Sequence, residues 1–430
     1  MKSAKYSNGL LTNVCEPMNS INQSTFPPMN VVSLRALHPD SRTLPAIDGR
    51  IARIEVFDDM AAAESHWHAL EQANNFATPY QRYDILKLWL QHVGADIGVS
   101  PFIVVGFNAT GTPLFLWPFG THKIAGLRLV EFLGGKHANF NMALWRRDAA
   151  ATISTDDLRA VIKCIAERAD IIKLVNQPLT WSGTTNPFAL LPQQRSANFG
   201  FSGPLVPDFE ALLRARTNSA ARKKMHKKER TLAGYGEVRF EQVTDAHDVR
   251  RALDSFFKQK QVRMRMLGIA DVFTVPGVRR FIEAAATEKF FGRSPPIELY
   301  TLSVDNIIVA TMGGIVGGGR FCAMFNSIIR GRYATESPGE QLIINLVRAC
   351  CVRGLETFDL GIGEARYKTL FCGDAEPLFD SYLPLSAAGR WLAVVFAISA
   401  SAKRAIKQRP VLWSLVRGLR TLRAWLSVRP

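Results

Sequence analysis

A chain of 430 residues exceeds what one ordinary hydrophobic core supports, so two domains are expected. A hydrophobic fraction of 47% and a mean hydropathy of +0.01 exclude a disordered chain and a bundle of membrane spans. The formal charge of +16 points to phosphates, nucleic acid or anionic lipid but selects none of them.

Residues 1–47 are rich in Asn, Ser and Pro, lack the order of a signal peptide and read as a flexible leader. Alternation predicts a strand over 51–57, and Met60, Trp67 and Leu70 mark a helix over 58–73. Thr78-Pro79-Tyr80 opens a second helix that runs through Leu86, Leu88, Trp89 and Leu90. Strands over 101–107, 113–119, 128–133 and 171–175, with a helix over 156–169, complete a first domain at 48–205. Its last part, 176–204, is rich in Ser, Gly, Thr, Asn and Pro and reads as a domain junction.

The second domain, 206–385, repeats this order. Helices are expected over 217–233, 245–266, 276–289 and 338–353, with strands over 237–243, 297–304, 307–315, 320–328 and 355–361. Asp305-Asn306 and Gly317-Gly318-Gly319 tolerate positive φ and suit antiparallel hairpins. The order is that of an α+β fold with mixed, mostly antiparallel sheets, and the halves look like a diverged duplication. Residues 386–430 read as a basic amphipathic helical tail; from Ser381 onward there are nine Lys or Arg and no Asp or Glu. Its longest apolar run, Trp391 to Ala400, falls short of the roughly 20 residues a membrane span needs.

Six cysteines form no C-x-x-C pair, which fits a reducing, cytoplasmic setting, and Cys350-Cys351 sits in an apolar helical pattern as small hydrophobes. His66 and His68 bracket Trp67 without ligand spacing, and no metal is expected. No G-x-S-x-G, H-E-x-x-H or Walker motif supports hydrolase, metalloprotease or P-loop chemistry.

Two stretches carry the chemistry. In the first, Ser337 as N-cap, Pro338 at N1 and Glu340 at N3 make a capping box before the apolar face Leu342, Ile343, Leu346, Val347 and Cys350. Backbone N–H groups at Gly339, Glu340 and Gln341, with the helix dipole, favour an anion there. The Glu340 carboxylate competes for the same donors, and the upstream Arg330 and Arg332 compensate. In the second, Phe358 and Leu360 alternate to one face of a strand and leave Asp359 on the other. Two readings fit Asp359: it serves the chemistry, or it accepts a backbone N–H and pairs with a nearby Arg. Gly361 and Gly363 permit a sharp exit, after which Glu364, Tyr367 and Lys368 fall within one helical turn. Glu364 and Lys368 also have the spacing of a surface ion pair. Acyl transfer to an amine needs a base, a proton donor for the leaving group and dipoles on the carbonyl. A carboxylate and a phenol fill the first two roles.

In this order and spacing the basic run Arg222–Leu232, Ser337-Pro338-Gly339 and the stretch Phe358–Lys368 resemble the GNAT-superfamily acyltransferases grouped with cellulose-biosynthesis CelD-type proteins, related in fold to the FemAB peptidyltransferases. Thr78-Pro79-Tyr80-Gln81 and Phe132-Leu133-Gly134-Gly135 extend the likeness to the first half, so that it covers about 50–385. The resemblance implies two tandem GNAT-like domains, the second binding acyl-CoA (acetyl-CoA) as donor. It places the donor diphosphate on Arg332, Ser337, Pro338, Gly339, Glu340 and Gln341, and the pantetheine arm near 324–328 and 356–360. For acyl transfer, Glu364 or Asp359 is expected as the base or substrate-positioning acid, Tyr367 as the proton donor and Lys368 as an anion or carbonyl contact. Thr335-Glu336-Ser337-Pro338-Gly339 departs from the family's Gly-rich loop, and FemAB relatives use aminoacyl-tRNA, which leaves the donor open.

The leading expectation is an acyltransferase acting on an amino or hydroxyl group of a small cell-envelope or polysaccharide-related acceptor. The second is an aminoacyl-tRNA-dependent transferase, with residues 222–230 gripping RNA phosphates; a solvated helix face is the plainer reading of that run, and nucleic acid is not favoured. The third is a non-enzymatic protein of polysaccharide biosynthesis, held peripherally at the inner face of the membrane by the tail.

Overall fold

A computed structural model describes residues 51–72, 75–290, 292–363 and 370–409. The first half contributes β1 (Arg53–Phe57), α1 (Glu64–Leu70), α2 (Tyr83–Trp89), β2 (Ser100–Phe107), β3 (Pro113–Ile124), β4 (Leu127–Phe132), α3 (Arg147–Thr152), α4 (Thr155–Ile165), β5 (Ile171–Pro178) and β6 (Gln194–Pro204). The second contributes α5 (Phe209–Arg216), α6 (Ser219–Ala233), β7 (Val238–Val243), α7 (Ala246–Leu267), α8 (Pro276–Thr287), β8 (Glu298–Val304), β9 (Ile307–Gly317), β10 (Arg320–Ile328), α9 (Pro338–Val352), β11 (Thr357–Ile362) and β12 (Asp374–Pro384). Helix α10 (Ala387–Gln408) closes the described chain.

These strands lie in one continuous sheet, ordered β1-β2-β3-β4-β5-β12-β6-β11-β10-β9-β8-β7, with two short strands off this path. The order reads the same from both ends once β1–β6 are matched with β7–β12, a repeat that no residue string displays. Each half is an antiparallel meander followed by a helical crossover to a parallel strand. The last strand of each half leaves its own half, and β12 pairs with β5 while β6 pairs with β11. The expected pair of side-by-side sheets is thus a single mixed α+β sheet whose halves exchange an edge.

The segment expected to be a domain junction, 176–204, contains the central strand β6. Its glycines suggest a loop, yet they sit in a strand approached closely from both faces. A Cβ on Gly200 would lie 2.6 Å from the Phe140 ring, and one on Gly203 only 1.9 Å from the Phe371 carbonyl oxygen. Strand β12 was not anticipated at all.

The apolar clusters follow the exchange. The largest joins Trp117, Phe119 and Trp145 of the first half to Phe256, Phe281 and Phe325 of the second. On this side Gly277 of α8 lets the helix approach the His92 carbonyl oxygen (2.5 Å from an ideal Cβ), and Arg280 pairs with Asp96 at 2.9 Å. A second cluster holds α9 on the sheet through Leu342, Leu346, Phe321 and Phe358. Among the described residues no helix is long and apolar enough to cross a membrane.

A methyl group at Gly203 has no room beside the Phe371 carbonyl, so Gly203→Ala should cost about 1–3 kcal/mol by overpacking. The effect should appear as a lower urea midpoint in one transition; an unchanged midpoint would show that the seam yields freely.

Candidate functional site

Strands β10 and β11 run parallel in register for three pairs, Arg320–Thr357, Phe321–Phe358 and Cys322–Asp359, and then part. At the parting point two side chains from the first half enter. Asn139 Nδ2 donates to the Tyr80 hydroxyl oxygen at 2.8 Å and to the Ala323 carbonyl at 2.9 Å. Gly361 has φ +70°, and a Cβ there would lie 2.3 Å from Asn139 Nδ2, so glycine admits the amide as well as turning the strand. Tyr80 is fully buried, and burial first, then the neighbouring acidic groups Cys322 and Asp359, push its hydroxyl well above the usual range. It remains a neutral donor. Burial likewise raises the Cys322 thiol, which stays protonated and has no nucleophilic character.

Just below this point Asp359 is fully enclosed. Its Oδ2 accepts from Arg320 Nε at 3.0 Å and Nη2 at 2.7 Å, and its Oδ1 accepts the Gly361 N–H. The same guanidinium donates to both Glu376 oxygens (3.1 and 2.9 Å), and Ser202 Oγ donates to Glu376 at 2.6 Å. Trp181 covers the guanidinium 4.0 Å from its ring centroid. Burial pushes the Asp359 carboxyl above its ordinary value against the pull of Arg320, and the carboxylate is shut off from an incoming amine. Both structural contacts weighed from the sequence, the backbone N–H and the Arg, are present.

The start of α9 differs from its expected chemistry. Ser337 is left-handed (φ 52°, ψ 55°) and its side chain does not cap the helix, so no capping box forms. The N–H groups of Glu340 and Gln341 both reach the Ser337 carbonyl, at 2.9 and 3.2 Å. Gln341 is the fourth helical residue, whose N–H closes the first helical turn in any α-helix. Gly339 alone of the three keeps a main-chain donor without a partner among the described residues. Its missing Cβ serves packing, since a Cβ would lie 2.4 Å from Ile328 Cδ1. Pro338 is buried beside it, and the Gln341 side chain donates to the Glu336 carbonyl at 3.0 Å.

The corner is nonetheless cationic. Lys228, from the basic helix α6, reaches across to donate to Ser337 Oγ at 2.7 Å and to Glu340 at 3.0 Å. The Glu340 carboxylate is thereby neutralised. Arg332 lies over the Tyr333 ring at 4.7 Å and the Tyr235 ring at 5.8 Å. Lys223, Lys224, Lys227 and Arg230 stay exposed on α6. The basic run and the helix expected to hold an anion, separate features in the sequence, therefore meet at Lys228. Glu364, Tyr367 and Lys368 lie outside the described residues.

Two features were not foreseen. Tyr80 and Asn139 come from the half to which no site residue had been assigned; the Thr78-Pro79-Tyr80 turn was the available signal. A groove of about 650 Å³ opens at the other end of β10 and β11, lined by Arg82, Trp181, Arg293, Glu298, Gly317 and Glu356 among others. Trp181 joins it to the Arg320 cluster. Among the described residues no group of His, Cys, Asp and Glu is arranged to hold a metal ion.

Residues 219–369 match the acetyltransferase (GNAT) domain family, an interval that opens at α6 and closes past β11. No curated protein sequence matches the chain. Among solved structures FemX is 9% identical with a TM-score of 0.51, covering 77% of this chain and 98% of that one. The structure of L-PGS from Bacillus licheniformis is 12% identical with a TM-score of 0.42, covering 72% and 94%. Saccharomyces cerevisiae N-myristoyltransferase with bound myristoyl-CoA and inhibitors is 12% identical with a TM-score of 0.41, covering 80% and 82%. The likeness to FemX is one of fold. The second half carries a GNAT acyltransferase domain within a mixed α+β sheet.

Removing the guanidinium would strand a buried carboxylate, so Arg320→Met should destabilise by about 3–5 kcal/mol. Arg320→Met/Asp359→Leu should recover more than half of that loss in urea unfolding. Equal stability of the two variants would show that Asp359 does not depend on Arg320. Lys260, on α7, donates to the Asn326 carbonyl of β10 at 3.0 Å, beyond the parting point, and burial lowers its pKa from 10.5 to about 8. Between those pH values the unfolded chain binds more protons, so stability should rise with pH across that window. Lys260→Met should flatten the rise; an identical profile in both proteins would refute it.

Proposed function

We propose that this protein is an N-acyltransferase that moves an acyl group from a coenzyme A thioester to an amino, or hydroxyl, group. The match of residues 219–369 to a GNAT acetyltransferase domain carries this reading, because it spans both the parted strands and the cationic corner. Lys228, Arg332 and the Gly339 N–H would hold the donor diphosphate, with Ser337, Glu340 and Gln341 shaping the corner rather than lending amides to it. The pantetheine arm would lie where β10 leaves β11.

In the reaction the acceptor nitrogen attacks the thioester carbonyl, a C–N bond forms and the C–S bond breaks. The amine proton passes to Glu364, directly or through water, and Tyr367 protonates the departing thiolate. Lys368 would contact the carbonyl or an anionic group. Asp359 is assigned as a positioning residue: held by Arg320, it fixes the strand exit from which these three residues follow. The acceptor is proposed to be a small cell-envelope or polysaccharide-related molecule, on a motif order that resembles CelD-type proteins.

Aminoacyl-tRNA is the second donor to consider, favoured by the exposed lysines of α6 beside Lys228. Its binding would weaken steeply with salt. Native mass spectrometry and thermal shift with an acyl-CoA panel and charged tRNA separate the donors. Retained acyl-CoA, with thiol release on adding amines, is the expected result; stabilisation by charged tRNA alone would overturn it. Lys228→Ala should weaken acyl-CoA binding about tenfold. Tyr367→Phe should lower transfer about 100-fold or more. Undiminished transfer in both Tyr367→Phe and Lys368→Ala would remove those residues from the site.

A further inference from the structure

Helix α10 has two apolar faces. One is docked: Leu392, Ala393 and Phe396 pack with Leu129, Ile171 and Tyr382 of the sheet. The other carries Trp391, Val394, Val395 and Ile398, spaced i, i+3, i+4 and i+7, with exposures of 78%, 49%, 53% and 64%. Four such side chains on one stripe of one helix are contiguous, unlike the scattered apolar residues of an ordinary surface.

The helix cannot turn this stripe inward. Ser386 caps its first turn through the Gly389 N–H at 3.0 Å, and an ideal Cβ on Gly389 would sit 1.9 Å from the Asp170 carbonyl oxygen. At the other end Arg404 donates to the Arg195 carbonyl at 2.8 Å and Lys407 to Asn198 Oδ1 at 2.7 Å. Rotation would break these anchors and expose Phe396 instead.

Charge identifies the partner. Arg390 and Lys403 are exposed along the same helix, and Arg409 is exposed just past its end. From Ser381 to the end of the sequence there are nine Lys or Arg and no Asp or Glu. An aromatic and aliphatic stripe on a helix whose charged residues are all cations complements a surface that is apolar below and anionic above. A second copy of this chain would bring like charges together.

We infer that α10 docks the protein on an anionic lipid bilayer, with Trp391, Val394, Val395 and Ile398 entering the headgroup–acyl boundary. The catalytic half would thereby be held at a membrane surface without a spanning segment. The inference is independent of the donor assigned above.

The test is sedimentation of the full chain with vesicles of phosphatidylcholine alone or with 30% phosphatidylglycerol. Binding to the anionic vesicles should exceed binding to neutral ones by about tenfold or more, since the surface cations are drawn to the anionic headgroups. Trp391→Glu/Ile398→Glu alters only exposed positions, and its circular dichroism should be unchanged. Its binding to anionic vesicles should fall about tenfold or more. Absence of binding by the wild-type chain, or equal binding by the variant, would overturn the inference. So would a wild-type dimer in solution that the variant converts to monomer, since a second copy would then cover the stripe.

Discussion

The Arg320 guanidinium sits where the two halves of this protein are joined, and four strands depend on its charge. It reaches Asp359 on β11 and Glu376 on β12, and through Glu376 the Ser202 hydroxyl on β6, while Trp181 covers it from a short hairpin over residues 180–185. Two carboxylates at one place in a sheet would repel each other and resist burial; one cation between them resolves both problems. Because β6 and β12 are the exchanged strands, the ion cluster also locks each half to the other. Asp359 thus anchors the strand that leads to the candidate reacting residues.

The exchange has a functional consequence. A strand pair that parts must close its gap with something, and here Tyr80 and Asn139 of the first half do so. The candidate centre in the second half is therefore not self-contained. Its floor is supplied by a turn some 240 residues earlier in the chain, the separation across which Tyr80 meets Ala323. The groove at the opposite end of the same strands is likewise built from both halves.

Whatever cationic character the start of α9 has comes from side chains more than from the helix end itself. The Ser337 carbonyl takes the Glu340 N–H, the Gln341 N–H is spent on the ordinary first helical turn, and Gly339 is glycine because Ile328 lies against it. Cationic character returns through Lys228 and Arg332, and the Glu340 carboxylate, which by itself would repel a phosphate, is already paired. Helix dipoles are worth a fraction of what a well-placed ammonium contributes in a partly enclosed corner.

Local patterns carried much of this protein in the linear chain. The α+β order, most strands of both halves, the basic helix α6, helix α9 and the stretch ending at Gly363 were legible because apolar periodicity and Gly or Pro punctuation act over a few residues. Asp359 was recognisable as a special residue from its place among apolar neighbours, but whether it served chemistry or structure could not be read from them. Only the tertiary structure decided that Arg320 encloses it, that β6 is a central strand and not a linker, and that Lys228 meets Glu340. Each of these depends on which distant groups share a dielectric and a hydrogen bond. Strand exchange brings such groups together across long loops, and no short-range pattern encodes that pairing.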